Sequence, residues 1–336
     1  MVLVIGIDRS VVPLQDFALD ELLSGCVHEL WLSLPLGLLF ELSLPALVAK
    51  GTTPGPTLVA AGGVHGDEFE GMVAIPEMVR SLDLGALAGT VVGLPICNPL
   101  AFQAQSRESP SAIDGKNLAR EFPGQSTGSV TQRLAVELFS LIRRVLGPED
   151  LFVDLHSGGS RYRYLPMVGY RDIDSASREV SEEAARHFGS GRLWLIDDEP
   201  GTFNSETSRL GIPSVGTEAT GHGGCRPEDV AAYVVGLRNL LRYRGMITGK
   251  LPVRDGGPAW QPTQVNVSTS GLFLARVDLG ERVTAKKVLG EVLSPFGKRL
   301  ERLEAPHAGE VWALRTFGTI HADDMAAWVA RPLMRG

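Results

Sequence analysis

Three short stretches of the sequence combine histidine or carboxylate side chains with glycines. His65 and Glu68 lie in VAAGGVHGDEFEGMVA, residues 59–74, His156 lies in DLHSGG, and Glu218 lies in the turn sequence TEATGHGG. Two histidines and one carboxylate leave the fourth tetrahedral position of a zinc ion free, which is typical of a catalytic site. We therefore predict one zinc ion per chain, held by His65, Glu68 and His156.

The chemistry that such a site supports is metal-assisted hydrolysis. Zinc lowers the pKa of a bound water molecule towards neutrality and polarises a carbonyl group. A separate carboxylate must take the proton of that water and pass it to a leaving amine, and Glu218 is the candidate. Each stretch is weak evidence alone, because a single histidine at the end of a strand is more often an ordinary polar residue. The three stretches together favour a metal site.

The elements that must position these residues alternate between strand and helix patterns. Apolar, β-rich runs and helical periods follow each other in the order TLVAAGG, FEGMVAIPEMVRSL, TVVGLPICN, VTQRLAVELFSLIRRVL and LFVDLH. This order predicts an α/β domain with a largely parallel sheet. Ligands of such sheets bind at the carboxyl ends of the strands, where the three polar stretches are expected.

The remaining parts of the chain have other patterns. The apolar segment 31–49 is interrupted by prolines, serines and Glu41, so it predicts two strands rather than a membrane span. A second helix pattern begins at Pro227 and stops at Gly245. After about residue 250, short runs punctuated by glycine and proline predict a small all-β module. We place the domain boundary between 1–248 and 249–336.

Composition and charge exclude several classes of protein. The chain has 336 residues with 44% hydrophobic and 21% charged residues, which is ordinary for a globular protein. A net charge of −7, without long basic runs, argues against a nucleic-acid partner. Three cysteines at no metal-like spacing and the absence of a secretory signal pattern favour a reduced, cytoplasmic setting without membrane attachment.

A long polar loop, CNPLAFQAQSRESPSAIDGKNLAREFPG, separates the first two polar stretches. Its length and turn residues indicate a functional loop. It contains Arg107 and Arg120, and a guanidinium suits both a substrate carboxylate and a developing oxyanion. Two arginines in a solvated surface loop would explain the same composition.

These motifs together resemble the succinylglutamate desuccinylase and aspartoacylase family, relatives of the zinc carboxypeptidases. The resemblance rests on VHGDEFEG, on an Asn-Pro followed nine residues after the Asn by Arg, on DGKNLAREFPG, on DLHSGG and on GIPSVGTEATGHGG. It implies a mixed, largely parallel sheet with helices on both faces, as in the zinc carboxypeptidases. The tail resembles that family's small β domain and a lipoyl or biotinyl-type barrel.

The resemblance also implies roles for individual residues. Zinc would be held by His65, Glu68 and His156, and Glu218 would act as general base and later as proton donor. Arg107 matches the arginine that polarises the scissile carbonyl. The reaction implied is hydrolysis of an N-acyl amino acid to a carboxylate and a free amino acid.

Recognition of the substrate is where this sequence departs from the family. Arg120 matches the arginine that binds a substrate carboxylate, but Ala119 replaces the asparagine that normally precedes it, and Asn117 stands at the place of the motif's acidic residue. We expect Asn117 to contribute to substrate binding. The segment 160–170, which follows His156, could supply Arg161, Arg163 or Tyr164 to the acyl pocket. An ordered surface loop would explain this segment as well.

The leading hypothesis is a zinc-dependent amidohydrolase that removes the acyl group from a small N-acyl amino acid or N-acyl amine. The expected partner is a small acylated molecule, and formation of a homo-oligomer is left open. One alternative is a metallocarboxypeptidase acting on peptides or peptidoglycan stems. Another is a non-catalytic scaffold that keeps the metal-binding fold.

Overall fold

The computed structural model of the protein describes residues 10–35, 41–173, 176–251 and 253–333. The strands in these residues are β1 (Ser10–Pro13), β2 (Cys26–Pro35), β3 (Glu41–Lys50), β4 (Thr53–Ala61), β5 (Ala88–Leu94), β6 (Leu151–Ser157), β7 (Tyr162–Tyr164), β8 (Met167–Arg171), β9 (Leu193–Ile196), β10 (Ser214–Ala219), β11 (Trp260–Asn266), β12 (Gly271–Ala275), β13 (Arg282–Val283), β14 (Val288–Leu293), β15 (Arg299–Glu304), β16 (Gly309–Arg315), β17 (Thr319–Ile320) and β18 (Met325–Pro332). The helices are α1 (Glu70–Arg80), α2 (Pro99–Gln103), α3 (Val130–Val145), α4 (Arg178–Phe188), α5 (Phe203–Arg209) and α6 (Pro227–Tyr243).

One large mixed sheet organises the molecule, in the order β1-β2-β3-β5-β4-β6-β10-β8-β9-β11-β18-β16-β13. Its central strands β5, β4, β6 and β10 are parallel. The carboxyl ends of β4, β6 and β10 therefore meet at one edge of the sheet. The predicted fold class, a mixed and largely parallel sheet with helices, is confirmed.

Helices cover both faces of this sheet because each presents one apolar face. In α3, Leu134, Leu138 and Ile142 recur at helical spacing and are fully buried, in a core that also contains Phe152 and Phe203. The helix begins where the Ser129 amide donates to Gln132 Oε1 at 3.0 Å. Burial of each such leucine or isoleucine stabilises the fold by about 1.5–3 kcal/mol.

The opposite face of the sheet is covered by α1, α4 and α6. Ile75 and Met78 of α1, Phe188 of α4 and Leu237 and Leu241 of α6 are buried in a second core. The pattern that predicted α6 is confirmed, and the chain turns away at Gly245, which has a φ of 69°. Helices therefore pack on both faces, with the carboxyl edge of the central strands left accessible.

Segment 31–49 forms parts of β2 and β3, which pair as antiparallel neighbours. The interpretation as two strands is confirmed for the described residues, and residues 36–40 lie outside them. Within the described part of the chain, none of the helices is long and apolar enough to cross a membrane.

The chain beyond residue 253 is β-structured, as the sequence predicts. Strands β15, β14, β12 and β17 form a separate antiparallel sheet. Strands β11, β18, β16 and β13 instead extend the large sheet, because Trp260 of β11 pairs with Trp194 of β9, and β16 also pairs with β7. The boundary between 1–248 and 249–336 stays a prediction, and hydrogen bonds join the two parts.

Candidate active site

His65, Glu68 and His156 meet at the carboxyl edge of the central strands. His65 Nδ1 lies 2.8 Å from Glu68 Oε1, His156 Nδ1 lies 2.8 Å from Glu68 Oε2, and the two Nδ1 atoms are 3.2 Å apart. His65 and Glu68 are each 2% exposed, and the His156 side chain is 15% exposed. Ligand atoms of tetrahedral zinc, with bonds of about 2.0 Å, lie about 3.3 Å apart. The donor atoms present therefore fit a zinc ion.

The turn between β4 and α1 brings His65 and Glu68 together. Gly66 lies between them, and a Cβ atom there would stand 1.9 Å from the backbone carbon of Ala101. Only glycine allows this approach, and the Gly66 amide donates to the carbonyl of Ser106 at 3.0 Å. The glycine thus fixes the polar loop, and Arg107 with it, against the metal-binding turn.

The outer nitrogens of both histidines have partners. Asp154 Oδ1 lies 3.2 Å from His156 Nε2, and Asn117 Oδ1 lies 3.0 Å from His65 Nε2. Such contacts fix the ring orientation so that Nδ1 faces the metal position. In this structure the side chain of Asn117 contacts His65 and the amide of Ala119. Asn117 also lines the cavity described below, and its role in substrate binding stays a prediction.

The charges around the two rings differ. Burial, together with the guanidinium of Arg107, lowers the pKa of His65 to about 4. Burial acts in the same direction on His156, but the carboxylates of Asp154 and Glu68 raise the pKa of His156 well above its usual value. A metal ion binds the neutral imidazole, so a metal held at this position would displace the proton of His156.

Replacing Asp154 with asparagine is expected to weaken zinc binding about 10- to 100-fold, because the carboxylate orients His156 and raises its basicity. Competition with a chromophoric chelator would measure the affinity. Asp172→Asn is a matched control, since Asp172 is 52% exposed and pairs with Arg178. Equal zinc affinity of the Asp154 variant and the wild type would contradict this role.

Glu218 lies beside the candidate metal-binding cluster of His65, Glu68 and His156. Strand β10 extends to Ala219, so Glu218 belongs to the strand and not to the following turn, where the sequence pattern placed it. It is the direct neighbour of His156 across the parallel pair β6 and β10. Its Oε2 atom is buried without a hydrogen-bond partner, and burial, reinforced by the charge of Glu68, raises the pKa of Glu218 well above its usual value.

Four of the predicted residues, Arg107, Arg120, Arg161 and Tyr164, line one cavity of about 710 Å³. Arg107 lines it and donates to Glu68 Oε1 at 2.7 Å. Arg120 lines it and pairs with Glu199 at 3.0 Å. Arg161 pairs with Glu108 at 3.2 Å, and the buried Tyr164 packs on Trp328 at 5.1 Å between ring centroids. Arg163 instead lines a separate cavity beside His222.

Several lining residues were missed by sequence reasoning. Asp154 could have been found, because it precedes His156 by two residues and so lies on the same side of the strand. Arg171 ends β8, and its sequence context VGYRD carries no recognisable motif. Trp328 and Asp323 come from the C-terminal strands and their connections, and only the folded chain brings them to the cavity.

Comparison with known protein families decides the relationship that the motifs suggest. The family model described as the succinylglutamate desuccinylase/aspartoacylase catalytic domain matches residues 54–244, which is more than half of the chain. The chain belongs to this family. The match contains every residue of the candidate metal cluster and Glu218, so the resemblance noted in the motifs is confirmed.

Individual proteins are similar to this chain over most of their length. An N-alpha-acetyl-L-2,4-diaminobutyric acid deacetylase from Halomonas elongata is 32% identical over 298 residues, covering 85% of each chain. A succinylglutamate desuccinylase/aspartoacylase from Rhodobacter sphaeroides has a TM-score of 0.83 at 30% identity, covering 95% of this chain and 98% of that one. The product-bound ectoine utilization protein EutE from Ruegeria pomeroyi has a TM-score of 0.82 at 29% identity, covering 90% and 95%.

Proposed function

We propose that this protein is a zinc-dependent deacylase that hydrolyses the amide bond of a small N-acyl amino acid or N-acyl amine. The observation that carries the proposal is the convergence of the His65, Glu68 and His156 donor atoms at a cavity that His65, His156 and Glu218 line, where one oxygen of Glu218 has no hydrogen-bond partner. The deacetylase from Halomonas elongata supports the same class of reaction.

The chemistry that bound zinc supplies is a lowered pKa of a water molecule and polarisation of the amide carbonyl. Glu218 takes the proton of the attacking water at its buried oxygen and later donates it to the leaving nitrogen. Arg107 stabilises the developing oxyanion. A guanidinium has five N–H donors, so the hydrogen bond to Glu68 leaves others for the substrate.

The walls of the cavity support a substrate that carries a second amino group. Asp197 and Asp323 line the cavity, and within the described residues neither forms a salt bridge. Trp194 and Trp328 also line the cavity, with their ring centroids 5.2 Å apart. Carboxylates and aromatic faces both attract an ammonium group. The substrate of the Halomonas elongata relative, an N-acetylated diamino acid, has such a group.

The test is a panel of candidate substrates offered to the zinc-loaded protein, with products followed by mass spectrometry. The panel contains N-acetyl and N-succinyl amino acids, N-acetyl diamino acids, N-acetyl diamines and short peptides. Release of acetate or succinate from acylated single amino acids or amines is expected, with the N-acetyl diamino acids favoured.

Two outcomes would contradict the proposal. Release of C-terminal residues from peptides, with no cleavage of acylated single molecules, would indicate a metallocarboxypeptidase. No cleavage of any compound by protein of verified zinc content would indicate a non-catalytic scaffold. The cytoplasmic setting and the oligomeric state stay predictions.

A further inference from the structure

Arg171 is a cavity-lining guanidinium without an ionic partner among residues 10–35, 41–173, 176–251 and 253–333. It ends strand β8 and lies opposite Ile196 of β9. Its NH1 group donates to the carbonyl of Asp197 at 2.9 Å, but its Nε atom is buried without a hydrogen-bond partner. An enclosed donor with no partner costs free energy, so this position is expected to be completed by a ligand.

The two carboxylates whose charges act most strongly on Arg171 already have other partners. Glu199 forms its salt bridge with Arg120, and Asp154 lies against His156 Nε2. Burial lowers the pKa of Arg171 to about 10, and the positive charge of Arg120 acts in the same direction. Arg171 stays protonated near neutral pH. Asp198, which also lies near it, is paired with Arg209, so Arg171 is a guanidinium of the cavity lining whose neighbouring carboxylates Glu199, Asp154 and Asp198 have other partners.

The residue beside Arg120 cannot help to bind an anion. Ala119 has no side-chain donor, and Arg120 NH1 donates to the backbone carbonyl of Ala119 at 2.9 Å. Arg120 also uses its Nε group for Glu199. The loop therefore lacks the contact with an anion that a side-chain amide at position 119 could make. The guanidinium of Arg171, at the end of β8, has no carboxylate partner in the described residues.

We propose that Arg171, together with Arg120, binds a carboxylate of the substrate and thereby determines which acylated compounds are accepted. A guanidinium fork matches the two oxygens of a carboxylate. The inference rests on the proposed deacylase function. The carboxylate could belong to the amino acid half of the substrate or to a dicarboxylic acyl group, and the experiment distinguishes these sources.

The experiment compares three substrates that differ only in their carboxylate. N-alpha-acetyl-L-2,4-diaminobutyrate carries it on the amino acid half, N-succinyl-diaminopropane carries it on the acyl group, and N-acetyl-diaminopropane lacks it. Steady-state kinetics of the zinc-loaded wild type are compared with Arg171→Gln and Arg171→Lys. Arg178→Gln removes the same charge from a 43% exposed arginine paired with Asp172 and serves as control.

Arg171→Gln is expected to lower kcat/KM about 10- to 100-fold, mainly through KM, for whichever carboxylate substrate the wild type prefers. Turnover of N-acetyl-diaminopropane should fall much less, and a circular dichroism spectrum and a Tm equal to those of the wild type would show that the variant is folded. Arg171→Lys keeps the charge and should fall between wild type and Arg171→Gln. An equal loss on all three substrates, or no loss on any, would overturn the proposal.

A binding measurement separates this inference from the deacylase function itself. Calorimetric titration of the zinc-loaded protein with diaminobutyrate and with succinate needs no turnover. If the wild type hydrolyses none of the three substrates, the deacylase function fails. A roughly tenfold weaker binding of either compound by Arg171→Gln would still support the anion-binding role, and unchanged binding of both would overturn it.

Discussion

The variant Glu218→Gln is expected to bind zinc like the wild type and to lose amide hydrolysis. Glu218 supplies no atom to the His65, Glu68 and His156 cluster, so its neutral isostere leaves the ligands in place. Glutamine cannot accept the proton of the attacking water or return it to the leaving nitrogen. General acid–base catalysis contributes about 10²- to 10⁴-fold in rate, so kcat should fall by at least about 100-fold.

Two readouts are needed for this variant. Atomic spectroscopy should show that the variant keeps its zinc. The kcat on the best compound of the substrate panel should be lost. Glu228→Gln is the matched control, because Glu228 is 72% exposed at the start of α6. A Glu218 variant that keeps kcat within a few-fold of wild type would remove Glu218 from the mechanism.

The second large effect is expected when a metal ligand is removed. His156→Ala should bind zinc more than about 100-fold more weakly than the wild type, since even a residue that only orients a ligand contributes about 10- to 100-fold. The buried carboxylate of Glu68 then loses one of its two close imidazole partners. Activity should disappear together with the metal.

Thermal unfolding gives a readout that is independent of catalysis. The wild type is first stripped of metal with a chelator. Zinc added back at about 1,000 times its dissociation constant should stabilise the folded state by about 4 kcal/mol and so raise the Tm above that of the stripped protein. The same zinc concentration is at most about 10 times the dissociation constant of His156→Ala, so it should stabilise that variant by no more than about 1.4 kcal/mol and raise its Tm far less. His307→Ala is the control, because His307 contacts Thr263 and Ala308 away from the cluster. If neither chelator nor added zinc changes the Tm or the activity of the wild type, a metal at this site is excluded.

The sequence predicted the parts of the fold that depend on local patterns. The helical spacing in VTQRLAVELFSLIRRVL identified α3 and its buried face, and the alternation of strands and helices identified the central parallel sheet. The clustering of His65, Glu68 and His156 followed from a general rule, because loops at the carboxyl ends of adjacent parallel strands meet at one edge.

Long-range pairing and contact detail could not be predicted in this way. Nothing local in RYRYLP shows that Tyr162–Tyr164 pairs with β16, about 150 residues later. The contact between Asn117 and His65 depends on how the polar loop closes over Gly66, which no local pattern in the sequence shows. Arg171 had no motif around it, and its significance comes from the absence of a partner carboxylate in the described structure.

The cavity is built from two distant parts of the chain. All three predicted zinc ligands and Glu218 precede residue 219, whereas Gln264, Asp323, Met325 and Trp328 close the wall from the C-terminal strands. A substitution in that wall alters the shape and charge that a substrate meets without touching a group that acts on the amide. A lineage with this architecture can therefore acquire new substrates by mutation of its tail while its reaction chemistry is inherited unchanged.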